Sequence, residues 1–352
     1  MKHLLERSIE IILRHQSPSG AYQASLNFKN YRYCWFRDGS YTAYAMDRAG
    51  EHGSAALFHH WVAGVVEARR DTVQRAVEKA RRNEYPGPDI LHTRYDLNGN
   101  EAEEEWTNFQ LDGFGTWLWA LGEHQRMTGA RLRDEWICAA GLVAEYLNAL
   151  WLFPCYDCWE ESPGHIHTYT VASIHAGLRA HELFCSTRHT ALPAMKGFLL
   201  SMTVREGRFV KYAGSDTVDA SLVALSTPYR VVEPGDRRMV STVRRIEREL
   251  RREGGGVHRY SGDTYYGGGE WILLTAWLGW YYTEAGQREK AEELKEWIER
   301  QADAEGNLPE QAPRTLNDPA SYPRWRERWG KIASPLLWFH AKHIILSLAL
   351  SP

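Results

Sequence analysis

The feature that most constrains the fold is a helical pattern that recurs along the whole chain. Apolar residues at three- and four-residue intervals indicate about twelve helical segments. They lie near 2–15, 38–50, 52–80, 108–128, 130–151, 167–184, 188–203, 216–226, 236–252, 270–285, 287–302 and 334–349. Strand patterns are short and local, as at 208–212, and no proline- or serine-rich linker divides the chain. We therefore expect an all-α fold and a single domain over residues 1–352.

The connections between these segments alternate between short and long. The long ones are polar or glycine-rich and lie at 16–37, 81–107, 152–166, 227–235, 253–269 and 303–333. Loops longer than about 12–15 residues within a compact domain usually carry function. The alternation favours a closed ring of helix pairs whose long loops build a cleft at one mouth. An open α-solenoid, which has similar periodicity, is the alternative.

Charge and cysteine content exclude several classes of protein. The formal net charge of −3 provides no basic surface for nucleic acid or anionic membranes. No apolar run reaches the roughly 18 residues of a membrane span, and the opening segment carries charges within its apolar pattern, unlike a signal peptide. Five cysteines, an odd number, argue against a disulfide framework and favour the reducing cytoplasm.

Aromatic residues are numerous and many are placed unusually. The chain has 15 tryptophans and 18 tyrosines, and several stand beside glycine, acidic residues or arginine instead of in apolar helix stripes. Examples are Tyr33, Trp35, Trp106, Trp159, Tyr265, Tyr266 and Trp271. These residues either lie at the edges of a large core or line a cleft, where their rings would stack on sugars. Composition favours neither interpretation.

Two polar clusters in the first half of the chain have both an ordinary and a chemical interpretation. In the run YRYCWFRD at 31–38, Asp38 would cap a helix and Arg37 would form an ion pair, or the two would hold the hydroxyls of a sugar. In DCWEE at 157–161, two carboxylates follow a tryptophan. That arrangement is either a solvated loop or a desolvated carboxyl group kept protonated, as a general acid requires.

Two further clusters lie in the second half. In GNLPEQ at 306–311, Pro309 fixes the backbone just before Glu310, in an ordinary turn or a catalytic one. In RYSGDTYYGGGEW at 259–271, glycines between aromatics allow the backbone to approach a ligand closely.

A metal site is the alternative for Cys155, Cys158, His165 and His167, which have ligand-type side chains. Paired zinc ligands are normally about 12–15 residues apart, whereas here the second pair follows much sooner. We therefore expect no metal, and we expect the two histidines to orient their loop or to cap the following helix. Phosphate-binding, dinucleotide-binding and nucleophile-elbow motifs are missing, so we expect no cofactor.

Taken together and in this order, the four clusters resemble glycoside hydrolase family 15, the glucoamylase and glucodextranase family. The resemblance extends from about Tyr31 to His340. It implies an (α/α)6 barrel of six inner and six outer helices, and an inverting exo-hydrolase that removes glucose from non-reducing ends.

The resemblance also implies individual roles. Glu160 matches the general acid, Glu310 the general base, and Arg37 with Asp38 the pair that grips the terminal glucose. Glu161 matches a contact in the leaving-group subsite. The other residues expected to contact the sugar are Trp35, Trp106, Trp159, Arg259, Tyr266 and Trp271.

Inversion requires a protonated carboxyl and an ionised one on opposite faces of the sugar, about 6.5–9.5 Å apart. We expect Trp159 to raise the pKa of its neighbour Glu160 by desolvation. We expect arginines such as Arg37 or Arg314 to keep Glu310 ionised.

The barrel pattern begins at the first residues, so we expect neither an N-terminal β-sandwich nor a starch-binding module. Short α-glucosides are therefore the expected partners: isomaltose, isomalto-oligosaccharides and maltose, with trehalose as an alternative. We expect Glu161 and the loops at 227–235 and 303–333 to determine linkage specificity. An epimerase or lyase would instead use histidines such as His165, His167 and His175, and a non-catalytic sugar-binding protein is the third possibility.

Overall fold

The helices of the computed structural model, which describes residues 2–351, form two concentric rings. They are α1 (Lys2–His15), α2 (Phe36–Arg48), α3 (His52–Glu67), α4 (Arg70–Arg81), α5 (Asp112–Thr128), α6 (Asp134–Leu150), α7 (Thr168–Cys185), α8 (Ala191–Ser201), α9 (Arg237–Leu250), α10 (Ile272–Glu284), α11 (Arg288–Glu299), α12 (Ser321–Trp329) and α13 (Leu337–Ala349).

The inner ring contains α2, α5, α7, the short 3-10 helix Ala220–Leu225, α10 and α13. Each packs against the next, and α13 returns to α2, which closes the ring. A helix that is buried on every side must be apolar all round. The sequence ILLTAWLGWYYTE of α10 meets that requirement, and eleven of its residues are buried. The closed (α/α)6 barrel is thus confirmed, and the open solenoid is excluded.

The outer ring covers the inner one with amphipathic helices. α1, α3, α6, α8, α9 and α11 each pack against an inner element. In α9, the buried residues Met239, Val243, Ile246 and Leu250 recur every three or four positions. Its arginines occupy the remaining faces, so this helix shields the core while staying hydrated.

Three predicted boundaries were wrong. The segment 52–80 is two helices, since the non-helical Arg69 donates to the carbonyls of Val65 and Gly99, both at 2.9 Å. The segment 216–226 contains only the 3-10 helix at Ala220–Leu225, which the Asp219 side chain caps. The loop 303–333 includes α12, whose residues are all at least partly exposed.

Short two-stranded ribbons connect segments between the helices, and two of the three involve the long loops. Strand β1 (Cys34–Trp35) pairs with β2 (Arg94–Tyr95), β3 (Val204–Arg205) with β4 (Arg208–Phe209), and β5 (Glu270–Trp271) with β6 (Gln311–Ala312), all antiparallel. Within residues 2–351, no helix has both the length and the apolar character needed to cross a membrane.

Helices α5 and α7 cross at two glycines. A Cβ added to Gly177 would lie 2.3 Å from the carbonyl oxygen of Gly115, and one added to Gly115 would lie 2.6 Å from the backbone nitrogen of Ile174. Both distances are far below van der Waals contact. The two inner helices therefore approach each other as closely as backbone allows, and only glycine fits at the crossing.

Replacing Gly177 with alanine is expected to lower the free energy of unfolding by about 1–3 kcal/mol, because the added methyl group forces α5 and α7 apart. Urea denaturation measures the change. The matched control is Gly141→Ala in α6, where nothing lies within 4 Å of the added Cβ. That variant should gain about 0.5–1 kcal/mol from helix propensity. Equal responses of the two variants would contradict the close crossing.

Candidate active site

A cavity of about 590 Å³ opens among the long loops at one mouth of the barrel. Ten of the eleven predicted site residues line it. They are Trp35, Arg37, Asp38, Trp106, Trp159, Glu160, Glu161, Arg259, Trp271 and Glu310. The four sequence clusters thus meet at one site. Tyr31 and Glu310, which are in contact there, are 279 residues apart in the sequence.

Glu160 is held in a tight turn after α6. Its backbone is left-handed, with φ of 68°, and the Asp157 carboxylate accepts hydrogen bonds from the amides of Trp159 and Glu161, both at 2.9 Å. The Trp35 indole donates to Glu160 Oε1 at 2.6 Å, and Gln110 Nε2 lies 3.3 Å from the same oxygen. The loop therefore presents the carboxyl group to the cavity in one fixed orientation.

The indole nitrogen of Trp159 is directed elsewhere. It donates to Asp219 Oδ2 at 2.9 Å, and not to its neighbour Glu160. Lys211 Nζ lies 3.1 Å from Asp157 Oδ2 and 3.2 Å from Asp219 Oδ2. Burial acts to lower the pKa of Lys211, but these two carboxylates raise it above its usual value. The lysine therefore stays charged. This buried ion network anchors the loop that carries Glu160.

Glu310 is buried against the opposite loops. Its amide donates to the Ala333 carbonyl at 2.9 Å, and the following strand β6 pairs with β5, which places Glu310 near Trp271. The Tyr31 hydroxyl donates to Glu310 Oε1 at 3.0 Å and lies 3.0 Å from the Tyr265 hydroxyl. Oε2 is buried without a partner among the described protein atoms.

Burial raises the pKa of Glu310 to about 8, although Tyr31 and Arg259 act to lower it. The expectation that Arg37 or Arg314 keeps Glu310 ionised is therefore wrong. Arg37 pairs with Asp112, with Nη1 and Oδ2 3.1 Å apart, and Arg314 is not among the groups that lower the pKa of Glu310.

Arg37 and Asp38 open the inner helix α2 at the cavity. Arg37 is buried, its Nη1 donates to Gln110 Oε1 at 3.1 Å, and its Nε lies 3.3 Å from Asp38 Oδ1. Burial raises the pKa of Asp38 to about 7, although Arg37 lowers it. The pair thus offers donors and acceptors of fixed geometry, which vicinal hydroxyl groups require.

Arg259 is the centre of a third set of hydrogen-bonded side chains at the cavity. It pairs with Asp263, and its Nη2 lies 3.3 Å from Glu161 Oε1. The Tyr260 hydroxyl donates to the other oxygen of Glu161, and the guanidinium lies 4.8 Å from the ring centroid of Trp271. Glu161 is therefore oriented by two donors at the edge of the cavity.

Unlike the other ten predicted site residues, Tyr266 does not line the cavity, so the structure does not place it where a sugar contact was expected. It is fully buried, packs against Tyr322 and Trp325, and directs its hydroxyl to the Gly330 carbonyl at 3.2 Å. Tyr265 takes the cavity position instead. Consecutive residues of the short 3-10 helix Tyr265–Gly267 point in different directions, which the repeated tyrosine pattern did not indicate.

Among the residues that the sequence prediction of the site omitted, Tyr31, Tyr265 and Gln110 lie next to the two carboxyl groups. The Tyr31 and Trp35 rings are 5.7 Å apart and nearly perpendicular. Since Tyr31 contacts Glu310 and Trp35 contacts Glu160, one short segment connects both carboxyl groups. The only available signal was the position of Tyr31 in the same aromatic run as Arg37.

The loop 152–166 is held by its cysteines and histidines without a ligand cluster. The backbones of Cys155 and His165 pair, the His165 ring stacks on Tyr212 at 3.9 Å, and His167 Nε2 lies 3.0 Å from the Ser162 carbonyl. These contacts orient the loop, as expected for the two histidines.

The loop 227–235 does not reach the cavity, whereas Trp325, Arg328 and Trp329 of α12 line it. The structure thus does not place 227–235 where an influence on linkage specificity was expected.

Comparison with known proteins identifies the class. Residues 1–304 match the family described as Glycosyl hydrolases family 15. The chain belongs to this family and is a glycoside hydrolase, as the four motifs predicted. Glu310 lies beyond that match.

Individual relatives are similar over most of the chain. The isomaltose glucohydrolase of Kribbella flavida is 40% identical over 99% of this chain and 92% of its own length. A solved glycosidase variant in complex with glucose superimposes with a TM-score of 0.94 at 39% identity, covering 99% of this chain and 97% of that one. Trehalase 1 of Sulfolobus acidocaldarius is 25% identical over 75% of this chain but 48% of its own.

Proposed function

We propose that this protein is an inverting, exo-acting α-glucosidase that releases β-glucose from the non-reducing ends of short α-gluco-oligosaccharides. Isomaltose and isomalto-oligosaccharides are the preferred substrates, and maltose is the next. The observation that carries the proposal is the placement of Glu160 and Glu310 on separate loops around one cavity. The 40% identity to an isomaltose glucohydrolase over nearly the whole chain supports the linkage.

In this mechanism Glu160 protonates the glycosidic oxygen while Glu310 removes a proton from the attacking water. The bond between the anomeric carbon and the leaving oxygen breaks, and the water oxygen bonds to the opposite face of that carbon. Glu160 ends ionised and Glu310 ends protonated, so solvent exchanges one proton with each before the next turnover. Substrate and water are the only reactants.

The raised pKa of Glu310 fits a general base. A base is most effective when its pKa lies near the operating pH, because its strength rises with its pKa. The oxocarbenium-like transition state carries positive charge, which attracts the carboxylate form of Glu310 and of its neighbours. Tyr31 donates a hydrogen bond that favours the same ionised form.

The arrangement of the cavity favours exo cleavage of short chains. Its volume of about 590 Å³ is typical of small-molecule sites. Arg37 and Asp38 stand at the start of a buried inner helix, where they form a floor that hydroxyl groups of a terminal sugar satisfy. Trp35, Trp106 and Trp159 provide flat apolar walls for the sugar faces.

Trehalose is the second candidate substrate. Several archaeal trehalases match this chain at 23–25% identity, although it spans only about half of their length. The epimerase and lyase interpretation has less support, because no histidine is among the described residues that line the cavity. A cytoplasmic location belongs to the proposal, supported by the five free cysteines.

The experiment that tests the proposal follows the anomeric proton signals of isomaltose, maltose and trehalose by NMR in the first minutes of reaction. β-Glucose is expected first from isomaltose, more slowly from maltose. Early α-glucose would contradict inversion. Hydrolysis of trehalose alone would replace the substrate assignment while leaving the mechanism in place.

Glu160→Gln is expected to reduce kcat by about 10²–10⁴-fold, because the amide cannot protonate the leaving oxygen. Steady-state kinetics on isomaltose measures the loss, and calorimetry should show that glucose still binds. The matched control is Glu105→Gln, which changes another carboxylate of the same cavity and should retain most activity. Similar losses in both variants would contradict the role of Glu160.

The pH profile tests the role of Glu310. A base works only when ionised, so kcat/KM is expected to rise as pH rises through the pKa of Glu310, about 8. Tyr31→Phe removes a hydrogen bond that lowers this pKa, so the acidic limb should move upward by about one to two pH units. A profile that falls through this range would instead make Glu310 the acid. An unmoved limb in the variant would contradict the Tyr31 contact.

A further inference from the structure

A second cluster of polar side chains is buried at the opposite end of the barrel. Asp47 lies near the end of α2, His59 in α3 and His124 near the end of α5, and all three are at most 6% exposed. One ligand-type atom from each lies within 4.8 Å of the other two. Neither the proposed reaction nor the family motifs use these residues.

Helix geometry separates this cluster from the cavity. Asp47 follows Asp38 by nine residues along α2, and His124 follows Asp112 by twelve along α5. At about 1.5 Å per residue, these separations correspond to roughly 14 and 18 Å along the helix axes. The cluster is therefore distinct from the site that holds Glu160 and Glu310.

His59 has no side-chain hydrogen-bond partner among residues 2–351. Its side chain is fully buried, and neither ring nitrogen is paired with a described atom. Buried polar groups are almost always paired, since an unpaired one costs about 1–3 kcal/mol. A buried imidazole with two free nitrogens beside a second imidazole and a carboxylate is what a metal site without its ion presents.

The other two members are joined by a hydrogen bond, whose proton a bound ion would displace. His124 Nδ1 lies 2.9 Å from both oxygens of Asp47, and His52 Nδ1 lies 2.8 Å from Oδ1. A hydrogen bond from an outer residue of this kind orients a ligating carboxylate. The Trp136 ring lies 5.8 Å from the rings of both His59 and His124 and closes the cluster on its apolar side.

The chemistry of the three side chains indicates which metal ion they would bind. Two imidazoles and one carboxylate suit Zn²⁺, which is bound at about 2.0–2.2 Å in tetrahedral geometry. Ligand atoms in such a site are about 3.4 Å apart, so the separations within 4.8 Å require only a small closure. Ca²⁺ and Mg²⁺, which prefer oxygen ligands, are disfavoured.

We propose that Asp47, His59 and His124 bind one Zn²⁺ per chain, with water at the fourth position and His52 orienting Asp47. The ion joins the inner helices α2 and α5 to the outer helix α3. It stabilises the barrel at the end away from the active site and takes no part in hydrolysis.

The test uses the full chain without an affinity tag, stripped by a chelator and then dialysed against Zn²⁺. One equivalent is expected to bind, and the melting temperature should rise with Zn²⁺ concentration, because the ion binds only the folded state. Co²⁺ in its place should give the intense visible bands of a tetrahedral site. No bound ion, or a Co²⁺ spectrum of the hydrated ion only, would overturn the proposal.

Matched variants locate the ion. Changes to outer-shell partners cost about 10–100-fold in affinity, so His59→Gln and His124→Gln should each weaken Zn²⁺ binding by about 100-fold or more. His60→Gln, at the exposed neighbour on α3, should leave binding unchanged. Undiminished binding in both ligand variants would overturn the assignment. If they fail to fold, the Co²⁺ spectrum and the Zn²⁺-dependent melting of the unaltered chain decide.

The hydrolytic activity distinguishes this proposal from the proposed function. The stripped chain should hydrolyse isomaltose at the same rate as the zinc-loaded chain at a temperature where both are folded. Loss of activity on stripping with restoration by Zn²⁺ would overturn the purely structural role.

Discussion

The active site depends on the buried ion pair between Arg37 and Asp112. These residues begin two adjacent inner helices, α2 and α5, so their contact sets the relation between the helix starts at the cavity mouth. Arg37 also donates to Gln110, which in turn approaches Glu160. A buried pair of this kind is strongly destabilised when one partner is lost, because the other charge is left uncompensated. The orientation of the proposed acid is therefore coupled to the packing of the barrel.

Burial also explains why the pKa of Glu310 is raised. Glu160 lies in a turn whose neighbours are anchored by Asp157 and Lys211, and it accepts a hydrogen bond from the Trp35 indole. Glu310 is more deeply buried, and only one of its oxygens has a protein partner. A carboxylate with few donors in a desolvated pocket holds its proton more tightly. The unpaired oxygen is thus the natural acceptor for a proton from water.

Periodicity predicted the barrel well, because buried inner helices and amphipathic outer ones both leave a clear pattern in sequence. It failed where a helix begins or ends without a change in the apolar pattern. Arg69 ends α3 through carbonyls of Val65 and Gly99, and α12 forms although none of its residues is buried. Neither effect leaves a local signal. The motifs located ten of the eleven proposed site residues at the cavity, since loop residues that carry chemistry stand out from a helical background.

The side-chain contacts that the sequence did not indicate have a common physical origin. The Trp159 indole donates to Asp219, and the tryptophan that donates to Glu160 is the distant Trp35. The pattern YY does not specify which ring faces the cavity, because a short 3-10 helix with a left-handed residue sends neighbours in different directions. Side-chain direction depends on backbone torsion angles that tertiary contacts impose, so residue type and order were predictable while orientation was not.

The two ends of the barrel are connected through the same helices. α2 carries Arg37 and Asp38 at its start and Asp47 near its end, and α5 carries Asp112 at its start and His124 near its end. A contact that holds the C-terminal ends of α2 and α5 together also limits the movement of their N-terminal ends, because a closely packed interior transmits displacements. Burial of the Glu310 carboxyl group at the cavity costs stability, and a tie between the far ends of α2 and α5 would offset part of that cost.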